Sequence, residues 1–598
     1  MCGIVGYVGS RDTISVLMHG LTKLEYRGYD SAGIAYIKNN RINVKKSMGR
    51  VASLKNKLID KEYRNALVGI GHTRWATHGE PNDINSHPHL SKNNKFCIVH
   101  NGIIENYEQI KSDLIRKGYF FESQTDSEVI TQLLHFHYDG NIKESILKTI
   151  NQIKGSYAIA IICNDNKEKI YCVRKDSPLI IGKGNSEYFI ASDIPAIFQY
   201  TKDIYIMEDD EIAEVDAKSI IFYNSMGLEI DKEISKVTWD IGAVEKGGYE
   251  HFMIKEIYEE PEAVKKTINT RIKENKIIFK KFSIKRPKKI YIIACGTAYH
   301  AGVVGKYIIE KMLRIPVEVD IASEFRYRNP ILDSETLTII ISQSGETIDT
   351  LFALRKARKM NSRILSIVNV VGSSIARESD DVLYTLAGPE IAVASTKAYI
   401  TQLSAIYLLT LYMYEGKDKN KYISELKSIP EKIEEIFKSI GDIQKYASKL
   451  YNSKSIFFLG RGIDYALSME GSLKLKEISY IHSEAYPGGE LKHGTIALIE
   501  KGTPVICSVT QPELVDKMIS NIREVKTRGA IILTITTKEY SKKVQSVTDM
   551  LVEIPNINQI FAPILAVVPM QFFAYYCSIY KGNDVDKPRN LAKSVTVE

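Results

Sequence analysis

Tyr291-Ile292-Ile293-Ala294-Cys295-Gly296-Thr297 is a short apolar run that stops on a small, polar, glycine-containing turn. About 165 residues later, Ser455-Ile456-Phe457-Phe458-Leu459-Gly460-Arg461-Gly462 has the same form. The next apolar run keeps the offset. Residues 337–341 end on Ser342-Gln343-Ser344, and residues 505–509 end on Thr510-Gln511-Pro512. The runs 364–370 and 530–537 keep it again. Strand-like runs separated by long helical patterns predict βαβ units and parallel sheets. Two copies of one doubly wound α/β unit are the simplest account. In such units ligands sit beyond the carboxyl ends of the strands, where these turns fall.

Upstream the texture differs. Residues 1 to about 240 read as many short strands plus two helices, at 127–138 and 142–153. Strand-like runs fall at 66–72, 95–100, 157–163, 170–174 and 187–191. This predicts an α+β domain with antiparallel sheets. Gly242, Gly247 and Gly248 punctuate a linker. The expected division is a first domain over 1–240, a linker over 241–250, α/β units over 251–435 and 436–585, and a tail over 586–598.

Composition excludes several classes. The 598 residues are 44% hydrophobic and 25% charged, as in soluble globular chains. A net charge of +8 is a weak bias over this length. The densest basic run, 280–289, precedes an apolar strand and reads as a solvated linker. No aromatic interleaving supports a nucleic-acid partner. Seven irregularly spaced cysteines and the lack of a secretory pattern fit a reducing cytosol. The apolar stretch 560–576 contains Pro563, Pro569 and Gln571 and reads as a buried helix, not a membrane span. His72, His78, His87 and His89 match no standard zinc spacing, so no metal site is expected.

The chain opens Met1-Cys2-Gly3-Ile4-Val5-Gly6. If Met1 is removed, Cys2 carries both a thiol and a free α-amine, whose ordinary pKa of about 8 lets it act as a local base. Alternatively, Cys2 is one more buried strand cysteine. Polar clusters follow at Arg27–Gly33, His72–Gly79, His100-Asn101-Gly102 and Gln124–Glu128. Hydrolysis of a primary amide needs an oxyanion hole, which Asn101 and the Gly102 N–H can supply at a strand end. An isolated Asn-Gly equally suits a type I′ turn. Arg74 can bind a carboxylate through two parallel hydrogen bonds. Asp126 can take an ammonium, or simply cap the helix that follows.

Together these clusters resemble the class II glutamine amidotransferases over the whole first domain. The resemblance implies an N-terminal-nucleophile αββα sandwich. Cys2 would be nucleophile and base, with Asn101 and Gly102 as the oxyanion hole. Arg74, Thr77, His78 and Asp126 would hold glutamine.

In the second half, Ser342-Gln343-Ser344-Gly345-Glu346-Thr347 sits between a strand and a helix and can cradle a phosphate. A capped helix start is the plainer reading. It is not a Walker loop. Ala394-Ser395-Thr396-Lys397 adds hydroxyls, whereas Thr510-Gln511-Pro512 lacks this chemistry, so one phosphate site is expected. Lys474 and Glu477 share a helix face and alone would suggest a surface ion pair. His493 lies in a glycine-flanked segment, and 586–598 alone would be a disordered tail.

These segments resemble the sugar isomerase (SIS) domains of a family that joins them to a class II amidotransferase. The resemblance implies amination of fructose 6-phosphate by glutamine to glucosamine 6-phosphate. Ser342, Gln343, Ser344 and Thr347 would grip the phosphate, with Thr297 and Ser395 on the sugar. Glu477 would move a proton between C1 and C2, with Lys474 supporting it. His493 would assist ring opening, reaching across to the partner's site, and Lys593 would form a Schiff base. Trp75 would gate an ammonia passage and the tail would help seal the sugar site. A homodimer through the SIS domains and no cofactor are also implied. Ala298 departs from the family, which usually has serine after Cys-Gly-Thr, and removes one hydroxyl near the phosphate.

Two other functions compete. Other class II amidotransferases need pyrophosphate or ATP motifs, which are not found. A sugar-phosphate sensor built from SIS modules would not require Cys2, Glu477 and Lys593.

Overall fold

A computed structural model describes residues 2–58, 66–237, 245–279 and 286–595. Met1, linker residues 241–244, residues 280–285 of the basic run and the last three residues of the tail lie outside the described residues. The chain divides into two compact units, Met1–Val244 with Ser594–Glu598, and Glu245–Lys593.

The first unit stacks two antiparallel sheets. Among the described residues one sheet has eight strands, ordered Ser235–Lys236, Asp203–Ile206, Ile180–Lys183, Tyr188–Ala191, Gly3–Val8, Val68–Arg74, Ser31–Lys38 and Arg41–Met48. The other has seven, among them the long strands Phe96–Ile104, Gly155–Cys163 and Asn166–Lys175. Ile4, Ile70, Val99, Ala160 and Ile190 fill the space between them. Gly3–Val8 is buried on both faces, which explains its unbroken apolar run where a half-exposed antiparallel strand would alternate. Helices Glu128–His137 and Ile142–Ile150 cover the outer face of the seven-stranded sheet through Ile130, Leu133 and Ile146. The layers therefore run helix, sheet, sheet, helix.

More helix is present than the sequence reading expected. Thr13–Leu24 covers the outer face of the eight-stranded sheet with Ile14, Leu17, Leu21 and Leu24. That spacing is helical, and Asp12 caps the start by accepting from the Ser15 N–H at 3.2 Å. Val51–Asn56 and Tyr107–Arg116 are further helices.

The second unit contains the repeat. One five-stranded sheet runs Val317–Ile321, Lys289–Ala294, Thr336–Ser342, Arg363–Val368, Asp381–Tyr384. The other runs His482–Pro487, Ser455–Gly460, Pro504–Val509, Ile531–Thr537, Met550–Ile554. Every pairing in both is parallel, and both follow the doubly wound order 2-1-3-4-5. The first helix of each copy, Gly296–Leu313 and Ile463–Ser479, packs against the other. The apolar helix Ala562–Tyr580 is 19 residues long, enough to cross a membrane, but 89% of its apolar window is buried in this core. Burying each of its larger side chains contributes about 1.5–3 kcal/mol, so packing accounts for its composition.

Candidate active sites

In the first unit Cys2 precedes the central strand Gly3–Val8, beside the end of Val68–Arg74. The Trp75 N–H donates to Cys2 Sγ at 3.3 Å. Burial pushes the thiol above its ordinary value, so it needs a base to become nucleophilic. Asn101 Nδ2 donates to the Cys2 carbonyl at 3.0 Å. Asn101 and Gly102 are not in a turn. They pair with Ala158 and Tyr157 inside the strand Phe96–Ile104. Gly102 has φ +131°, and a Cβ there would stand 2.0 Å from the Ser156 carbonyl oxygen, so the position admits only glycine.

Asp126 does not cap the following helix, whose N-cap is Ser127. Its Oδ2 accepts from the Ile104 N–H at 2.8 Å, which fixes the carboxylate beside the Asn101 strand. His78 Nδ1 lies 4.0 Å from Asp126 Oδ1 and 3.4 Å from Thr77 Oγ1. Arg74 is buried and held by the carbonyls of His78 and Gly79, the latter at 3.0 Å. Trp75 stands edge-on to Tyr29, with centroids 5.6 Å apart. The structure thus gathers Cys2, Arg74, Trp75, Thr77, His78, Asn101, Gly102 and Asp126 where the start of Gly3–Val8 and the end of Val68–Arg74 meet Phe96–Ile104 of the other sheet.

In the second unit, Ser342 closes the strand Thr336–Ser342, and the helix Ile348–Lys359 starts after Thr347. Ser342 Oγ accepts from the Gly345 N–H at 3.0 Å and lies 3.2 Å from Thr347 Oγ1. Gly345 has φ +66°, and a Cβ would meet Ser373 Oγ at 2.0 Å. Gln343 ties down the next strand's loop by accepting the Asn369 N–H on its carbonyl at 3.1 Å. In the second copy the equivalent turn is already filled. Asp464 accepts from the Thr510 N–H at 2.7 Å and from its hydroxyl. Burial raises that carboxyl to about 6.

Lys474 is wholly buried. Its ammonium donates to Glu477 Oε2 at 2.6 Å and Thr297 Oγ1 at 3.0 Å, and lies 3.4 Å from Glu470 Oε1. Three partners match its three donors. Burial alone would lower its pKa, but Glu477 and Glu470 hold it above the ordinary value. Thr297 donates to Glu470 Oε1 at 3.1 Å, and His300 Nδ1 lies 2.8 Å from Glu470 Oε2. The two copies therefore meet in one polar chain.

Lys593 contacts Glu390 Oε2 and donates to Ser395 Oγ at 2.9 Å. The other Glu390 oxygen accepts from the Thr396 and Ala398 N–H groups, each at 3.0 Å. Burial opposes its charge, but Lys593 and these donors keep the carboxyl below its ordinary value. Glu256 lies behind, accepting from Ala392 N–H at 3.2 Å, and burial together with Glu390 lifts it to about 8.

The sequence reading missed Glu390, Glu470 and His300. Glu470 sits four residues before Lys474, a signal that was present but reads as a surface pair. Glu390 lies in a loop with no periodicity. His493 is not drawn into this group. It is exposed on the single turn Glu490–His493, and no hydrogen bond among the described residues joins it to Lys474 or Lys593. Ala298 occupies the first turn of Gly296–Leu313 and is buried.

A cavity of about 630 Å³ lies at the opposite end of the first parallel sheet, lined by Arg286, Lys288, Arg358 and Arg363. It is remote from this chemistry. Lys288 is paired with Glu335 at 2.6 Å and Arg363 with Asp381 at 2.8 Å.

Comparison with known proteins finds family matches in both units. A SIS domain family matches residues 283–412 and 449–580. A glutamine amidotransferase domain family matches residues 72–199. The chain is 55% identical over 610 residues to the glutamine–fructose-6-phosphate aminotransferase (isomerizing) of Caldanaerobacter subterraneus subsp. tengcongensis, covering 100% of both. It is 42% identical to the protein of that name from Thermus thermophilus, again covering 100% of both. The solved C-terminal domain of glucosamine-fructose-6-phosphate aminotransferase from Francisella tularensis matches 57% of this chain and 99% of its own, with 42% identity and a TM-score of 0.56. With an amidotransferase unit ahead of a duplicated SIS unit, and full-length likeness throughout, the chain belongs to the glutamine–fructose-6-phosphate aminotransferase (isomerizing) family.

Proposed function

We propose that this chain converts fructose 6-phosphate and glutamine to glucosamine 6-phosphate and glutamate. Removal of Met1 would leave the Cys2 α-amine to take the thiol proton. The thiolate attacks the glutamine amide carbon. Asn101 and the Gly102 N–H stabilise the oxyanion, and ammonia leaves as the thioester forms. Water then releases glutamate. Arg74, Thr77, His78 and Asp126 hold the amino acid. Trp75 gates the escape of ammonia.

At the sugar site, the Ser342–Thr347 turn and the N–H groups of the following helix bind the phosphate. Gln343 and Ser344 belong to this grip, with Thr297 and Ser395 toward the sugar. Lys593 condenses with the C2 ketone of the open chain, expelling water. Ammonia then displaces the lysine. Glu477 takes a proton from C1 and returns one to C2, giving the 2-amino aldose. Lys474 orients Glu477. His493 assists ring opening from the partner subunit of a cytoplasmic homodimer built through the SIS domains.

The observation that carries the reading is Lys593 held by a buried carboxylate, within a unit that also contains the Lys474–Glu477 pair. The test is to supply both substrates and measure glucosamine 6-phosphate by mass spectrometry. Cys2→Ala should make none from glutamine. A sensor would bind the sugar phosphate and yield no product in either form.

A further inference from the structure

His72 is completely buried on the strand Val68–Arg74, the neighbour of the strand that follows Cys2. Its Nε2 lies 3.0 Å from the His100 carbonyl oxygen and 3.1 Å from Asn101 Oδ1. The Asn101 amide is oriented by its other contact, since Nδ2 donates to the Cys2 carbonyl. Flipping it would set two oxygens against each other. Nε2 thus faces two acceptors and must carry the hydrogen. Nδ1 has no hydrogen-bond partner in the described structure. A second proton there would be buried and unsatisfied.

The surroundings keep the ring neutral. His87 lies against it with centroids 4.1 Å apart, and His89 stands 4.5 Å beyond His87. Burial is the main cause that lowers His72, to about 3, and the charges of His100 and Arg74 act in the same sense. His87 and His89 are driven well below the ordinary value, again mainly by burial. Lys46, whose pKa burial lowers, and Arg74 are the cations near this group.

We infer that His72 is a positioning residue for glutamine hydrolysis: its neutral Nε2–H holds Asn101 Oδ1, so the Asn101 N–H projects toward Cys2. This rests on Asn101 acting as an oxyanion donor. The free N–H of an unanchored amide would spend much of its time elsewhere, as in loss of a preorganised donor.

The test is glutamine hydrolysis by the full-length protein. His72→Leu should lower kcat about tenfold to hundredfold and leave the KM for glutamine within about twofold. His72→Gln, which retains an N–H at similar reach, should recover most of the rate, and His72→Asn, which is shorter, should not. Adding His72→Leu to Asn101→Ala should cost nothing further. A general packing defect would instead add to it and raise KM. Should His72→Leu not fold, the Gln and Asn variants give the same comparison. Wild-type kcat in His72→Leu or equal rates for Gln and Asn would overturn the inference alone, provided Asn101→Ala is impaired. Full hydrolysis by Asn101→Ala would overturn both it and the oxyanion assignment.

Discussion

Replacing Lys474 by methionine keeps the side chain's length and apolar stem but deletes its charge. Two carboxylates, Glu470 and Glu477, then lose the ammonium between them. At 2.6 Å the Lys474–Glu477 attraction is about 6 kcal/mol at an effective dielectric near 20, and the Glu470 contact at 3.4 Å about 5 kcal/mol. Desolvation offsets most of this, and breaking a buried pair typically costs about 3–5 kcal/mol. We therefore expect the second unit to unfold at lower temperature. The freed Glu477 should lose its fixed position, lowering proton transfer about 10²- to 10⁴-fold. The assay is exchange of the C1 proton of fructose 6-phosphate with deuterated water, followed by NMR. Glutamine hydrolysis at Cys2, measured alone, serves as the control for an intact first unit. Adding Glu470→Gln should recover part of the stability by removing one orphaned charge, but not the exchange rate. Exchange at the wild-type rate in Lys474→Met would refute the coupling of these two residues, and unchanged stability would refute the buried-charge argument.

Three further outcomes are expected. Borohydride with fructose 6-phosphate should add a stable mass to Lys593, and the adduct should vanish in Lys593→Met; labelling elsewhere, detected by peptide mapping, would count against its role. Gly345→Ala must place a Cβ 2.0 Å from Ser373 Oγ at φ +66°, so the KM for fructose 6-phosphate should rise at least tenfold with glutamine hydrolysis unchanged. His72, lowered to about 3 in the fold, binds fewer protons than when unfolded, so its contribution is present above its ordinary pKa and fades as pH falls from about 6.5 toward 3, by at most about 5 kcal/mol; calorimetry of His72→Gln should show a shallower acid slope, and an unchanged slope would disprove it.

Much of this was legible in the chain itself. The repeat was visible because buried parallel strands leave continuous apolar runs and each ends on a turn of distinct composition. Cys2, Asn101 and Asp126 could be grouped as a candidate site because several unusual clusters coincide, and the structure places them together. What was hidden depends on tertiary approach. Asn101-Gly102 looks like a turn because local preference favours one, yet strand pairing on both sides overrides it. The helix Thr13–Leu24 had the right spacing and cap but was masked by the surrounding strands. Glu390 gains its meaning only when Lys593, some 200 residues later, folds back onto it. His72 resembled part of a failed metal pattern until its neighbours showed which nitrogen bears hydrogen.

The hydroxyl of Thr297 donates to Glu470 and accepts from Lys474, both on the opposite repeat's leading helix. Duplication created two interchangeable halves, but that bond pattern has ended their equivalence. One half keeps the hydroxyl-rich Ser342–Thr347 turn, whereas the other has plugged its own with Asp464 and carries Glu470, Lys474 and Glu477 instead. On the proposed function neither half holds every group alone, so a single copy should form the scaffold without the reaction.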